Sequence, residues 1–326
     1  MAAVHLCGLG RPSPETEEFF AFFRGWAARS SRHRLVERPG EAGLILCVYG
    51  TGLRAPLRPE EEALLRERAD DCFAFDAQDR PVGFLPGLYA ALPAAAFDRG
   101  RFRAYCYPAE NRHVEEAFQA GMTKSLFFSF LGGASCALRQ RIYGLGHGRS
   151  DVVIEDTTAH QEWNPHQPEW EARKRRYAGV LAASEFALCP RGAGTGSIRL
   201  FEAMQAGAVP VAISDRYVLP DGPDWDAFLV RLPERAVAEG NLPERLAPYR
   251  GRSREMGRAA RRAWEQWFAP AVWLDRIVEG TEAIRASRRR PEAAARRLWP
   301  WWKLKRQVRE EAFNALRMAR NRIRPR

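Results

Sequence analysis

The run EFALCPRGAGTGSIRLFEAMQAGAVPVAIS, Glu185 to Ser214, constrains the fold more than any other part of the chain. EFALC (Glu185 to Cys189) is a short apolar strand run. Ser197 to Ala206 sets its apolar residues at helical spacing, and VPVAIS (Val209 to Ser214) is a second apolar run. Gly207 stands where a helix would end in a left-handed C′ residue. Strand, glycine loop, helix and strand in so short a span make one turn of a parallel α/β layer.

The loop in that module has the chemistry of an anion site. Gly192, Gly194 and Gly196 lack a Cβ, so the sequence predicts positive φ and close backbone approach to a ligand. Ser197 or Thr195 is expected to cap the helix, whose free N–H groups and positive dipole end would then face the ligand. Arg191 and Arg199 add two full charges in the fork geometry that suits phosphate. A charge-assisted hydrogen bond is worth ~1.5–3 kcal/mol and the dipole roughly 0.3–1 kcal/mol, so the arginines should dominate. Glu202, one turn further on, can accept ribose hydroxyls as the acidic residue of dinucleotide folds does. Its alternative is a surface ion pair with Arg199 at i and i+3, worth ~0.2–0.5 kcal/mol. Spacing alone leaves both readings open.

The same alternation runs through the rest of the chain. In the first half, Val4 to Leu9, Gly43 to Gly50 and Cys72 to Asp76 read as strands, and Glu15 to Arg29 and the segment from Pro59 as helices. The Pro- and Gly-punctuated stretch up to Pro108 reads as irregular. The pattern then restarts, with strands at Ser125 to Gly133 and Asp151 to Asp156 and helices near Cys136 to Leu145 and at Pro168 to Ala183. A chain of 326 residues, 46% hydrophobic, can hold two domains of ordinary size. We expect an α/β protein of two Rossmann-like, doubly wound domains, with ligands beyond the carboxyl ends of the strands. The expected divisions are 1–122, 123–284 and a basic tail at 285–326.

Composition limits the function classes. The six cysteines are scattered without a C-x-x-C pair, which reads as buried free thiols and not as a metal or redox motif. No apolar run approaches the ~18 residues of a membrane-spanning helix, and MAAVHLCGLG lacks the basic and apolar regions of a signal peptide, so a cytoplasmic location is expected. The net charge is +11, yet 285–326 alone carries fifteen Lys and Arg against three Glu, +12, which leaves −1 for residues 1–284. The basicity belongs to the tail. No RNA- or DNA-binding motif accompanies it, so no nucleic-acid partner is expected.

FALCPRGAGTGSIRLFEAMQAGAVPVAISD (Phe186 to Asp215), continued by YVLPDGPDWDAFLVRLPE (Tyr217 to Glu234), closely resembles the signature of the exostosin-like glycosyltransferases, family 47. The shared elements are a CPRG loop, a serine-bearing turn, an R-L-F-E helix, an A-G-x-V-P-V strand and a W-x-x-F segment. SFLGGASCALRQRIY (Ser129 to Tyr143) is similar to the first strand, glycine turn and arginine-bearing helix of the family's donor domain, which adds Arg139. FLPGLYAAL (Phe84 to Leu92) looks like a patch of bacterial members. The resemblance implies a GT-B architecture and inverting, metal-independent transfer from a nucleotide-sugar donor, a UDP-sugar for preference, to a glycan or lipid-linked acceptor in polysaccharide biosynthesis, without a cofactor. Its donor residues would be Arg139, Arg191, Gly192, Gly194, Ser197, Arg199 and Glu202. Two departures stand out: Ala208 where members commonly have Cys, and Gly196-Ser197 where they have a Ser pair.

Inverting transfer needs a base near the acceptor hydroxyl and a stabiliser for the departing diphosphate. The arginines supply the second. For the base the sequence offers Asp79, Glu155 and Asp156, besides Glu110, His160 and His166, without selecting one. Asp224-Trp225-Asp226 is a D-x-D sequence, which in metal-dependent transferases binds a cation against the donor phosphates. Here it lies in a Pro/Gly-rich turn and not at the end of an apolar strand, so no metal is expected. The alternatives are a metal-dependent transferase and a catalytically silent binder of nucleotide or anionic glycan. In the tail, Trp301, Leu304, Val308, Ala312, Leu316, Ala319 and Ile323 recur at i+3/i+4 spacing among basic residues. Such a helix either lies on an anionic membrane through 296–326, at the inner face, or packs its stripe on the body.

Overall fold

The computed structural model describes residues 1–10, 14–49, 57–79, 81, 83–108, 111–145, 148–160, 167–301, 304 and 308. The chain divides into two compact units, the first formed by Met1–Leu92, Ala96–Arg103 and Ile277–Arg326 and the second by Pro93–Ala95 and Ala104–Arg276. The expected division at 122/123 therefore falls about twenty residues late. The expected start of a separate tail at 285 also differs, because the chain has already returned to the first unit.

The first unit is built on a six-stranded sheet in the order β2-β1-β3-β4-β5-β6. Its strands are β1 (Ala3–Leu9), β2 (Arg34–Leu35), β3 (Leu44–Tyr49), β4 (Cys72–Asp76), β5 (Gly87–Tyr89) and β6 (Phe102–Ala104). β1 pairs in parallel with β2 and β3, β3 with β4, and β4 with β5. Leu44, Ile45, Leu46 and Cys47 are all fully buried, as a near-continuous apolar run in a doubly covered parallel sheet should be. The short strands β5 and β6 occupy the stretch that reads as irregular in sequence. A Cβ on Gly87 would stand 2.1 Å from the Ala74 carbonyl oxygen, so glycine permits β5 to lie against β4. Between the strands run α1 (Pro14–Ala27) and α2 (Pro59–Glu67). Pro59 opens α2, and Glu61 closes a reciprocal cap by accepting from the Arg58 backbone N–H at 3.0 Å.

The second unit has a five-stranded, all-parallel sheet in the order β11-β10-β9-β7-β8. Its strands are β7 (Leu126–Gly132), β8 (Val152–Asp156), β9 (Ser184–Pro190), β10 (Val209–Ile213) and β11 (Val230–Leu232). Its helices are α3 (Arg112–Gln119), α4 (Ala137–Tyr143), α5 (Trp170–Ala183), α6 (Ile198–Gln205), α7 (Arg235–Glu239), α8 (Leu242–Leu246) and α9 (Ser253–Trp267). Gly207 closes α6 at φ +62°, the left-handed conformation read from its position.

α10 (Trp273–Ser287) straddles the division, and α11 (Glu292–Ala295) follows it in the first unit. This segment packs and does not trail. Arg101 grips the buried Glu292 with two hydrogen bonds of 2.7 and 2.9 Å, and Trp299, 5% exposed, meets Phe84 edge-on. Beyond it Trp301, Leu304 and Val308 are 62%, 51% and 59% exposed. The remaining stripe positions, Ala312 to Ile323, lie outside the described residues, as do Glu110 and His166. All six cysteines are free, four of them buried and Cys7 and Cys136 half-buried. Among the described residues, no helix is long and apolar enough to cross a membrane.

Candidate anion site at the carboxyl edge of the second sheet

The chain of the second unit steps from β7 to β8 on one side and then crosses to β9 on the other, so the strand order reverses between β7 and β9. In open α/β sheets this switch point is where the carboxyl ends leave room for a ligand. Two turns depart there: Gly133 to Ser135 after β7, and Arg191 to Gly196 after β9.

Arg139, on α4, fastens these turns together. Its Nε donates to the Arg191 carbonyl at 3.1 Å, Nη2 to the Pro190 carbonyl at 3.2 Å and Nη1 to the Gly133 carbonyl at 3.3 Å. A Cβ at Gly192 would sit 3.3 Å from Arg139 Nη2 and 3.4 Å from Ser135 Oγ. Close approach therefore explains glycine at 192. None of Gly192, Gly194 and Gly196 has a positive φ, which corrects the conformational reading of the three. The loop is closed instead by its own bonds, Arg191 N–H to the Ile213 carbonyl at 3.1 Å and Gly192 N–H to the Gly196 carbonyl at 3.4 Å.

Arg199, in the first turn of α6, is 7% exposed. Its Nη2 donates to the carbonyl of Leu131 on β7. Its guanidinium carbon lies 4.7 Å from the Phe130 ring centroid and 5.7 Å from that of Tyr177, contacts that attract a cation. Nε and Nη1 are buried with no hydrogen-bond partner. Two charged donors without acceptors are costly to bury, and an arriving anion would satisfy them. Ser197 repeats the pattern: it occupies the N-cap position of α6, but its hydroxyl caps nothing and is buried without a partner.

The other sequence-selected residues gather around this point with different duties. Arg191 donates from Nε to Glu234 Oε1 at 2.8 Å and from Nη1 to the Gly192 carbonyl at 3.2 Å. Burial works to raise the Glu234 carboxyl, but the Arg191 hydrogen bond and charge outweigh it and hold the group below its ordinary value. Glu234 also orders the next loop, since its N–H donates to Asp215 Oδ1 at 3.0 Å. Glu202 does not pair with Arg199. Its Oε2 accepts from the Tyr177 hydroxyl at 2.6 Å, and burial together with the Glu202 charge raises the Tyr177 phenol well above its ordinary range, so it stays a donor. Gly194 is a buried member of the loop.

Tyr177, Phe130 and Glu234 were not singled out in the sequence. Their side chains come from elements 22 to 69 residues away from Arg199 or Arg191, and no local spacing announces such contacts.

The candidate bases do not converge here. Glu155 forms an ion pair with Arg176 at 2.5 Å. Asp156, the last residue of β8, accepts from Thr158 N–H at 2.8 Å and from the Thr158 hydroxyl, whose oxygen in turn accepts from Ala134 N–H at 2.7 Å. That chain braces the turn after β7, which makes Asp156 a positioning residue in this structure. Asp79 is exposed and belongs to the first unit, and His160 is exposed on the turn after β8. In the D-x-D sequence, Trp225 is the buried member and donates to the Pro220 carbonyl at 2.8 Å, while Asp224 and Asp226 are exposed on either side. Among the described residues, no group of three His, Cys, Asp or Glu is placed to hold a metal ion.

Residues 105–247 match the family described as the Exostosin GT47 domain, a stretch that contains every residue of this site. The chain is 30% identical over 150 residues to "Exostosin-1 homolog" of Caenorhabditis elegans, covering 40% of this chain and 39% of that protein. It is 34% identical over 131 residues to human "Exostosin-2", covering 37% of this chain and 17% of that protein. Thus it spans well under half the length of the curated relatives it matches. Among solved structures, an alpha1,3-fucosyltransferase is 12% identical with a TM-score of 0.43, over 87% of this chain and 90% of that one. Residues 105–247 are thus similar to the exostosin family, GT47.

Proposed function

We propose that the chain is a glycosyltransferase that draws its sugar from a nucleoside diphosphate donor, with the diphosphate bound at the β7/β9 edge. The observation that carries the proposal is Arg199: a guanidinium more than nine-tenths buried, at the switch point, with Nε and Nη1 lacking acceptors. In this reading Arg199 and the Ser197 hydroxyl hold the phosphate oxygens, Arg139 fixes the two turns, and Arg191, its charge balanced by Glu234, adds a weaker contribution from the loop. Glu202, oriented by Tyr177 through Oε2, presents Oε1 to the ribose. As the acceptor oxygen bonds to the anomeric carbon and gives its proton to water, the bond to the diphosphate oxygen breaks, and the negative charge gathering on the leaving group is met by donors already in place. These cationic donors provide that stabilisation without requiring a metal, and direct displacement inverts the anomeric centre. The likeness of residues 105–247 to the exostosin family supports a UDP-sugar donor, a glycan or lipid-linked acceptor and a role in polysaccharide synthesis. The exposed Trp301, Leu304 and Val308 support a peripheral location on the inner face of a membrane.

The test is calorimetric titration of UDP and GDP into the full chain in EDTA, with Arg199→Gln beside it. Each lost charge-assisted bond is worth ~1.5–3 kcal/mol, so the variant should bind at least about tenfold more weakly. Binding that appears only with Mn²⁺ would sink the metal-independent reading, and an unchanged affinity in the variant would sink the assignment of the diphosphate to this edge.

A further inference from the structure

Arginine is concentrated a second time where α10 ends, in the first unit. Arg285, Arg288, Arg289 and Arg290, with Asp70 and Pro291, line a cavity of about 380 Å³. Arg285 is fully engaged, with Nη1 on Glu282 at 2.8 Å and Nη2 on the Gly43 carbonyl at 2.6 Å and Asp71 at 3.1 Å. Arg288 is not. Its side chain is 10% exposed and its guanidinium carbon lies 4.7 Å from the Phe73 ring centroid. Nη1 donates to Asp70, at 3.0 Å to the carbonyl and 3.4 Å to Oδ1, while Nε and Nη2 are buried without a partner. Arg289 and Arg290 are exposed, and neither enters a hydrogen bond or ion pair with a described residue.

The neighbouring carboxylates are already claimed. Asp71 pairs with Arg68 and Arg285, Glu292 with Arg101, and Asp70 Oδ1 also accepts from the Glu292 N–H at 2.6 Å. Burial lowers the Arg288 guanidinium from its ordinary value; Glu292 and Asp70 oppose the shift, and the Arg285 and Arg101 charges add to it. A cation held this way, among other cations, is stabilised by an anion from outside.

We propose that this cavity is a second anion site, independent of the donor site, that takes a phosphate group, with Arg288 as its buried anchor and Arg289 and Arg290 as its exposed arms. The unpartnered Nε and Nη2 form one edge of a guanidinium, the edge that meets two oxygens of an oxyanion side by side. A carboxylate would be exhausted by that edge, whereas a phosphate keeps further oxygens for Arg289 and Arg290. The phosphate comes either from a lipid headgroup or from a soluble ester. Leu298, Trp301, Leu304 and Val308, 51%, 62%, 51% and 59% exposed a few residues further on, give a lipid source an apolar surface to enter.

Two measurements on the full chain separate these sources. Modification of arginines by phenylglyoxal, mapped by mass spectrometry, reads residues 285–290 with and without inorganic phosphate. Cosedimentation with phosphatidylcholine vesicles, with and without phosphatidate, reads the lipid arm. Protection of Arg289 and Arg290 by phosphate supports the site. Phosphatidate-dependent sedimentation that the R289E/R290E variant weakens about tenfold or more, the order of one charge-assisted bond, supports the site and names a lipid source. Protection without sedimentation supports it with a soluble source. Arg288→Lys keeps the charge but loses the fork, and should weaken binding while thermal unfolding confirms a folded chain. No protection and no phosphatidate dependence would overturn the proposal, as would sedimentation that R289E/R290E leaves unchanged.

Discussion

In the first unit, the N–H of Gly10, just past the end of β1, donates to Glu61 at 3.1 Å, and β4 ends in Asp76, two carboxylates only 2% and 1% exposed. At the corresponding edge of the second unit, β7 and β9 end against the guanidinium groups of Arg139 and Arg199. The topological reason for an open edge is the same, since strands outward from the first are ordered 2-1-3-4-5 in both sheets. Topology makes the edge, and a few side chains decide the sign of what it receives. A cationic edge suits a diphosphate; an edge of carboxylates suits the hydroxyl groups of a sugar. The degree of satisfaction differs as well. Glu61 accepts from Gly10 N–H, Arg58 N–H and the Arg58 guanidinium, whereas Arg199 keeps two donors unused.

If that contrast is right, substitutions at the two edges should fail in different ways. Glu61→Gln should lower the unfolding free energy by about 1.5–3 kcal/mol, the worth of hydrogen bonds to a charged group. Nucleotide affinity of the folded chain should stay within about twofold, because the substitution leaves every phosphate-facing donor in place. Denaturant unfolding and calorimetry check the two halves. A large loss of nucleotide affinity with normal stability would show that the carboxylates, and not the arginines, read the donor.

Next in size is Gly132→Ala. A Cβ there would stand 2.5 Å from Arg199 Nη2, forcing the guanidinium off the Leu131 carbonyl. Overpacking of this kind costs about 1–3 kcal/mol, and we expect it to appear as a tenfold or greater loss of nucleotide affinity. Arg191→Ala should do less, about fivefold, because Glu234 already neutralises that guanidinium. Should Arg191 prove the more sensitive of the two, the anchor of the site is the loop and not the helix.

The sequence carried the second sheet almost intact. The runs at 125–133, 151–156, 185–189 and 209–214 match β7 to β10 within one residue at each end. For β7, β9 and β10 the reason is that a doubly covered parallel strand leaves a continuous apolar run, whereas the edge strand β8 shows only its apolar centre, Val152 to Ile154. β5, β6 and β11 are three residues each, too short for any period to register, and all three escaped. At the site the donors were legible and their satisfaction was not. Arg139, Arg191 and Arg199 look equivalent on paper. Which one braces backbone, which one pairs with Glu234 and which one is left open is decided by contacts between elements distant in the chain. For the basic run after Arg285, composition leaves a membrane surface and packing on the body both open, and contacts of Glu292 and Trp299 with residues distant in the chain anchor its first part.

The smallest effect sits at the opposite, amino edge of the second sheet, where Lys124 precedes β7 and its Nζ donates to the Ala206 carbonyl at 3.3 Å. Burial lowers the Lys124 ammonium to about 8, against a weaker raising effect of Glu185. Below pH 8 the group is charged in both folded and unfolded chains, so stability carries the full cost of the buried charge and does not change with pH through this group. Between pH 8 and the ordinary lysine value of about 10.4, the unfolded chain binds the proton more often than the folded one, so stability rises with pH across that window. The side chain keeps partial contact with water, which limits the rise to about 0.5–1 kcal/mol. Thermal unfolding of the native chain and Lys124→Met, compared at pH 7.5 and pH 10, reads it as a difference that shrinks with pH. A difference that does not change would mean that this lysine, unlike Arg199, reaches solvent freely.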